Sequence, residues 1–159
     1  MPVSVPHGDH LARDREIARC ADLLERGARF LLAMHEFPDG DALGSALALA
    51  LALEQRGKTA VVYSPQGAPQ NLRFLPGANR IVNGLSPEER FDACIACDAG
   101  DSSRLGPDLP PAERRGPLLN LDHHPRTRPF GDVNVVDPRA AAVGVLVHRV
   151  LARLGHPLT

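Results

Sequence analysis

Phe30-Leu31-Leu32-Ala33-Met34-His35-Glu36-Phe37-Pro38-Asp39-Gly40-Asp41-Ala42-Leu43-Gly44-Ser45 is the stretch on which the reading of the chain turns. Its first five residues form an unbroken apolar run, the pattern of a strand buried on both faces, as parallel sheets require. From Ala42 to Gln55 the residues are strong helix formers, and Gly57 follows as a natural stop. The polar residues between them therefore sit at the carboxyl end of a strand, where open α/β sheets place their sites. His35 stands four residues before Asp39, and Asp39-Gly40-Asp41 adds a second carboxylate. This donor set suits a hard divalent cation such as Mn²⁺ or Mg²⁺.

The segment after the loop needs an argument, because Ala46-Leu-Ala-Leu-Ala-Leu-Ala-Leu53 alternates with the period of a strand. Its length, residue types and terminal glycine favour a helix. At 100° per residue, Leu47 and Leu51 fall roughly opposite Leu49 and Leu53. Such a helix is apolar on two sides and is expected to be covered on both.

Upstream, residues 1–13 are expected to form a flexible tail, since Pro2, Pro6 and Gly8 punctuate it. Asp14 to Gly27 carries apolar Ile17, Ala18, Cys20, Ala21, Leu23 and Leu24 among charges, an amphipathic helix closed by glycine. Downstream, Thr59–Tyr63, Phe91–Cys97, Pro117–Leu121 and Val133–Val136 read as four further strands. Asn71–Asn79 reads as turn-rich, Gly106–Gly116 as a surface loop or short helix, and Ala140–Leu154 as a last helix before Gly155. Short apolar strands alternating with helices predict an α/β fold, a doubly wound, mainly parallel five-stranded sheet with helices on both faces.

A chain of 159 residues is one domain's worth, long enough for a substantial core. The net charge of −1 supplies no basic field, which argues against bulk electrostatic capture of long nucleic acid. Cys20, Cys94 and Cys97 cannot all pair with one another. Cys94-Ile-Ala-Cys97 has redox spacing but lies inside an apolar strand, so buried small hydrophobes in a reducing compartment is the better reading. No clean apolar stretch is long enough to span a membrane, and no secretory pattern opens the chain. The expected compartment is the cytoplasm.

Three clusters carry chemistry: His35 with Asp39 and Asp41, Asp98-Ala-Gly-Asp101 with Arg104 after it, and Asp122-His123-His124. Each alone has a plain explanation. Asp-Gly-Asp is a turn signature, a carboxylate after a strand often caps a helix, and adjacent histidines on a loop commonly do nothing. Together they are harder to dismiss, since each follows an apolar strand and all supply carboxylates and imidazoles. Their number suits two adjacent divalent ions, the apparatus of metal-assisted phosphoester hydrolysis. His7, His10, His148 and His156 lack clustered acidic partners, and Arg126, Arg128 and Arg139 read as ordinary surface arginines.

These motifs resemble those of the DHH phosphoesterases, a family that includes RecJ-type exonucleases, family II inorganic pyrophosphatases and NrnA-type nanoRNase/pAp phosphatases. Asp122-His123-His124 matches the defining signature, His35, Asp39 and Asp41 the first motif, and Asp98 the second. Pro38-Asp-Gly-Asp-Ala-Leu-Gly-Ser45, Phe74-Leu-Pro-Gly77 and Asp98-Ala-Gly-Asp101 followed by Arg104 are most similar to the NrnA-type branch. The resemblance implies that His35, Asp39 and Asp98 hold one metal ion. It implies that Asp41, Asp98 and His123 hold the other, with Asp98 bridging. The implied ions are two Mn²⁺, with Mg²⁺ as the alternative. His124 would then face the substrate phosphate with Ser45 and Arg104, and Asp122 would orient an imidazole.

The activity so implied is hydrolysis of short oligoribonucleotides and of 3'-phosphoadenosine 5'-phosphate. Pyrophosphate or cyclic-dinucleotide hydrolysis, or metal and nucleotide binding without turnover, are the alternatives. Implied partners are small nucleotides or short single-stranded oligonucleotides, a second copy of the chain as a homodimer, and the C-terminal domain of a longer chain. Family members carry a Thr-Asp-Thr-Gly-like fourth motif and a separate C-terminal substrate-binding domain. The resemblance therefore implies that residues 14–159 are the DHH catalytic domain, expected to lack both. After Asp137-Pro138 the family usually has Ser/Thr and then Glu, where this chain has Arg139-Ala-Ala-Ala-Val143-Gly144.

Overall fold

The computed structural model of the protein describes residues 8–157. In chain order its elements are α1 (Gly8–Arg26), β1 (Arg29–Met34), α2 (Gly40–Gln55), β2 (Thr59–Tyr63), β3 (Ala93–Cys97), α3 (Ala112–Arg115), β4 (Leu118–Asp122), β5 (Val133–Val136) and α4 (Val143–Arg153). The five strands form one parallel sheet in the order β2-β1-β3-β4-β5. The three central strands are buried almost throughout, which is why their sequences are continuous apolar runs rather than alternating ones.

Strand register decides where the polar residues fall. Met34 pairs with Cys97 and Cys97 with Leu121, so the next residues along each chain, His35, Asp98 and Asp122, come off neighbouring strands at the same level. Asp122 in turn pairs with Val136, which puts Asp137 beside them. The backbone continues the ladder briefly past the strand ends, with the Asp98 N–H donating to the Leu121 carbonyl at 3.0 Å.

The two faces of the sheet are covered unequally. One side of β1 (Phe30, Leu32, Met34) packs into a single core with Ile17, Cys20 and Leu24 of α1, most of α2, and Val143, Leu146, Val147 and Val150 of α4. Burying each of these larger side chains stabilises the fold by about 1.5–3 kcal/mol. The other side (Leu31, Ala33, Cys94, Ala96) packs against Tyr63, Phe91, Leu105 and Leu118. The doubly wound class holds, but the helical cover on this second face is slight. It consists of a 3₁₀ turn at Ser102–Leu105 and the four-residue α3, which buries nothing. Proline supplies the reason. Pro65, Pro69, Pro76, Pro87, Pro107, Pro110, Pro111 and Pro117 punctuate the connections into β3 and β4, where a long helix would have to run.

Two boundaries differ from expectation by more than two residues. Residues 8–13, expected within a flexible tail, form the first turns of α1, since no helix breaker follows Gly8. The remainder of that expected tail, residues 1–7, lies outside the described residues. The last helix begins at Val143 rather than Ala140, because Asp137–Ala142 forms a turn closed by the Ala140 N–H on the Asp137 carbonyl. The helical reading of the Ala/Leu segment holds, with Leu47, Leu49 and Leu53 buried against core on both sides. Only a narrow line, Ala48 exposed and Leu51 half-buried, stays in contact with solvent. Among the described residues no helix is long and apolar enough to cross a membrane. All three cysteines are buried and unpaired, and burial pushes the Cys20 and Cys94 thiols up to about 12.

Candidate metal centre

Each cluster is locally built to present its donors. Asp39 caps α2, its Oδ1 accepting from the Asp41 N–H at 3.1 Å and the Ala42 N–H at 3.0 Å. That capping fixes the loop that carries His35 and Asp41. The His35 Nδ1 meets the Glu36 carbonyl at 2.7 Å, and His123 Nδ1 the Ala140 carbonyl at 3.0 Å. Such contacts hold the Nδ1–H tautomer and leave each Nε2 lone pair facing the carboxylates.

Asp98 is the centre of the arrangement. Its Oδ2 lies 3.9 Å from His35 Nε2, and its Oδ1 lies 3.6 Å from His123 Nε2 and 3.4 Å from His124 Nδ1. His35 Nε2 is also 3.9 Å from Asp39 Oδ1. Two donor groups result, His35–Asp39–Asp98 and Asp98–His123–His124, each with its ligand atoms within 4.8 Å of one another. Asp98 belongs to both. It is only 2% exposed, and its buried Oδ1 accepts no hydrogen bond. Its backbone is left-handed at φ +59°, a conformation that costs a non-glycine residue roughly 1 kcal/mol or more. Burial, joined by the Asp41 carboxylate, pushes its acid up to about 6. An ionised carboxylate so placed has only imidazoles near it and no hydrogen-bond donor on Oδ1, and a divalent cation would supply a full positive partner. The donors therefore fit a metal of the hard, oxygen- and imidazole-binding kind.

Asp122 plays the opposite part. It is fully buried, and its Oδ1 accepts from the backbone N–H of His123 (2.7 Å) and His124 (3.1 Å) and contacts His124 Nδ1 at 2.6 Å. Its Oδ2 accepts from the Gly100 N–H at 2.8 Å and the Thr127 hydroxyl at 2.6 Å. Burial works to raise its acid, but the Thr127 and His124 bonds prevail and hold it below the usual range. Gly100 has φ +71°, and a Cβ there would lie 3.6 Å from Arg104 Nη1 and 3.9 Å from His124 Nδ1. Glycine thus lets the backbone turn its N–H to Asp122 beside the site. His123 is held toward its charged form by the Ala140 carbonyl first, against burial, with Asp98 and Asp41 adding to the pull.

Asp41 is near but differently employed. Its Oδ2 accepts from the Val143 N–H at 2.8 Å, and its Oδ1 accepts from the Gly144 N–H and the Ser45 hydroxyl, both at 3.2 Å. It therefore caps α4 across the fold, where Ala142 supplies no side-chain cap of its own. Its Oδ2 still lies 3.5 Å from His123 Nε2. Ser45 is buried at 4% exposure with its hydroxyl on Asp41, so the open phosphate contact expected of it is not what this geometry offers. Arg104 is exposed, its Nη1 donating to the Ala99 carbonyl at 3.1 Å, and its own carbonyl accepts from the Glu36 N–H at 2.9 Å.

Sequence reasoning missed three contributors. Thr127 and the Ala140 carbonyl support Asp122 and His123 from loops with no motif to mark them. Asp137, at the end of β5, anchors Arg149 at 2.9 Å, Arg13 at 3.4 Å and Arg139 at 3.5 Å. Its strand-end position was a readable signal; its partners, drawn from α1, α4 and the turn before α4, were not.

A strand-end centre of this composition on a parallel sheet defines an α/β domain with a candidate metal site, and comparison with known proteins names its family. Residues 29–157 match the family model described as DHH family, N-terminal domain, and the chain belongs to that family. It is 36% identical over 124 residues to the bifunctional oligoribonuclease and PAP phosphatase NrnA of Thermus thermophilus, covering 78% of this chain and 36% of that protein. Its identity to the NrnA of Bacillus subtilis, bearing the same description, is 26% over 122 residues, covering 76% of this chain and 37% of that one. The chain thus spans little more than a third of the curated relatives it matches. Among solved structures, an exopolyphosphatase-related protein from Bacteroides fragilis superposes with a TM-score of 0.79 at 25% identity, over 89% of this chain and 44% of that one.

Proposed function

We propose that this chain carries the metal-holding part of a phosphoesterase that hydrolyses short oligoribonucleotides and 3'-phosphoadenosine 5'-phosphate. The observation that carries the reading is Asp98, a buried carboxylate with an unpartnered oxygen that two donor groups share. The names borne by the two NrnA relatives supply the substrate class. His35 and Asp39 would complete one site around Asp98. His123 would serve the second, with Asp41 as a further ligand once it leaves α4. Bound Mn²⁺, or Mg²⁺, would supply a Lewis acid for the phosphoryl oxygens and lower the pKa of attacking water.

The residues of the chain have separable tasks in that reaction. Asp122 fixes the His124 ring by its Nδ1, and Nε2 would then be free to meet the substrate phosphate. Arg104, exposed beside Gly100, would meet the same anion. Burial of Asp98 and His35 keeps solvent from their carboxylate and imidazole, so any cation there is felt strongly.

The test is turnover with added Mn²⁺ on a 5'-phosphorylated dinucleotide, 3'-phosphoadenosine 5'-phosphate, pyrophosphate and a cyclic dinucleotide. Hydrolysis of the first two, abolished by Asp98→Asn, is the expected result. Hydrolysis of pyrophosphate alone would sink the substrate assignment. A second reading, metal and nucleotide binding without turnover, is favoured by the engagement of both Asp41 oxygens with α4 and Ser45. Stoichiometric Mn²⁺ binding with all four substrates left intact would decide for it.

A further inference from the structure

Two of the three large hydrophobic side chains exposed among the described residues are phenylalanines, Phe37 at 76% and Phe74 at 78%. Phe37 stands two residues after His35 and two before Asp39, so its Cα lies within about 7 Å of either Cα by chain reach alone. Its backbone is left-handed at φ +53°. For a bulky residue that is a genuine outlier. The ring gains little burial in return, since it is largely in water. A strained backbone that exposes an aromatic ring two residues from each of two candidate metal donors points to a ligand contact rather than to a core.

The surroundings extend the argument. The Phe37 N–H donates to Gln66 Oε1 at 3.1 Å, which ties the loop after β1 to the turn after β2. Gln66 also lines a cavity of about 450 Å³ together with Arg73, Asn79 and Asn83, on the same carboxyl edge of the sheet. Phe74 directly follows Arg73. Carboxamides and a guanidinium offer paired donors and acceptors of the kind that read base edges, and aromatic faces stack on bases of any sequence.

We infer that Phe37 is a base-stacking residue, and that the cavity beyond Gln66 receives the base end of a nucleotide whose phosphate lies at the Asp98 centre. This deepens the proposed function and rests on it. It also predicts a selectivity, since base-bearing phosphates should outcompete base-free ones.

The chain contains no tryptophan, so Phe37→Trp installs a single fluorescent reporter that keeps a stacking face. With Mn²⁺ present, AMP should quench it and ribose 5-phosphate should not. Calorimetry should show AMP binding the unmodified chain at least tenfold more tightly than ribose 5-phosphate. Phe37→Asn, which tolerates the left-handed backbone, should weaken AMP about tenfold, as loss of one stacked base predicts, and leave ribose 5-phosphate within twofold. Equal affinity for the two ligands, or an equal loss for both in Phe37→Asn, would overturn the stacking role while leaving the metal–phosphate reading intact. Failure of both ligands to bind the Mn²⁺-loaded chain would instead remove the reading beneath it, and the stacking role with it.

Discussion

Asp98, just after β3, and Asp122, at the end of the adjacent β4, lie at nearly the same level and are both buried, yet they are opposite kinds of carboxylate. Asp122 has donors on both oxygens, from Gly100, His123, His124 and Thr127, and its acid is held below the usual range. Asp98 has an oxygen without any donor, a left-handed backbone and an acid pushed up to about 6. Burial is common to the two, so burial does not decide their ionisation. Hydrogen-bond supply does. A saturated carboxylate is a scaffold that orients its neighbours, whereas an unsaturated one is kept at a cost that only a ligand repays.

The sharpest break between them is metal binding. Asp98→Asn should abolish both Mn²⁺ sites together, a loss of at least a hundredfold in affinity at each, because the same side chain serves both donor groups. Isothermal titration would read this directly, and one site retained at full affinity would remove Asp98 from its shared position. Without metal the same substitution should leave the melting temperature unchanged or raise it, since it relieves an unpaired buried charge. Asp122→Ala should do the reverse, stranding buried donors at about 1–3 kcal/mol each and costing the metal-free fold about 3–5 kcal/mol. At this chain length that is a fall of very roughly 6–20 °C in Tm. A larger fall for Asp98→Asn than for Asp122→Ala would invert the comparison.

The sheet and the donor clusters were legible in the sequence because parallel strands announce themselves as continuous apolar runs. His35, Asp98 and Asp122-His123-His124 each sit one step beyond such a run, and register does the rest. The distinction between Asp98 and Asp122 was not legible. It depends on Thr127 and the Gly100 N–H reaching one carboxylate and not the other, contacts set by loop geometry. Asp41 shows the same limit. As a sequence motif it reads as one more ligand, while in the fold its oxygens cap α4, more than a hundred residues away. The unequal covering of the sheet could have been read from the prolines between β2 and β4, which exclude long helices there.

Acid titration of the metal-free protein sharpens the comparison further, because the two carboxylates contribute with opposite sign. Asp98 has a folded pKa of about 6, above that of an unfolded aspartate near 3.9. Its folded form therefore binds a proton more tightly, and the stability this gives is full below about pH 4 and lost as pH rises through about 6. Asp122, with its folded value lowered, contributes stability that is present above about pH 4 and lost as pH falls. Melts at pH 4.5 and 7 should thus show a difference that Asp98→Asn reduces, the raised His123 supplying part of the remainder, and that Asp122→Asn does not. Saturating Mn²⁺ at pH 7 should cancel the Asp98 contribution, since the cation favours the ionised form.

The smallest effect tests whether the saturation of Asp122 is cooperative or merely additive. Thr127→Val keeps the side-chain volume and removes one donor, the hydroxyl that meets Oδ2 at 2.6 Å. Because the acceptor is a charged carboxylate, the loss should be about 1.5–3 kcal/mol, or a few degrees in Tm. The more telling readout is the neighbouring ring. With Oδ2 less well satisfied, Asp122 should titrate higher, and its grip on His124 Nδ1 through Oδ1 should loosen in the same pH range. NMR of the His124 imidazole in Thr127→Val would register that as a changed tautomer balance, with His35 unaltered. An unchanged His124 spectrum beside a lowered Tm would mean that the two Asp122 oxygens act independently, and that Thr127 supports the fold without reaching the centre.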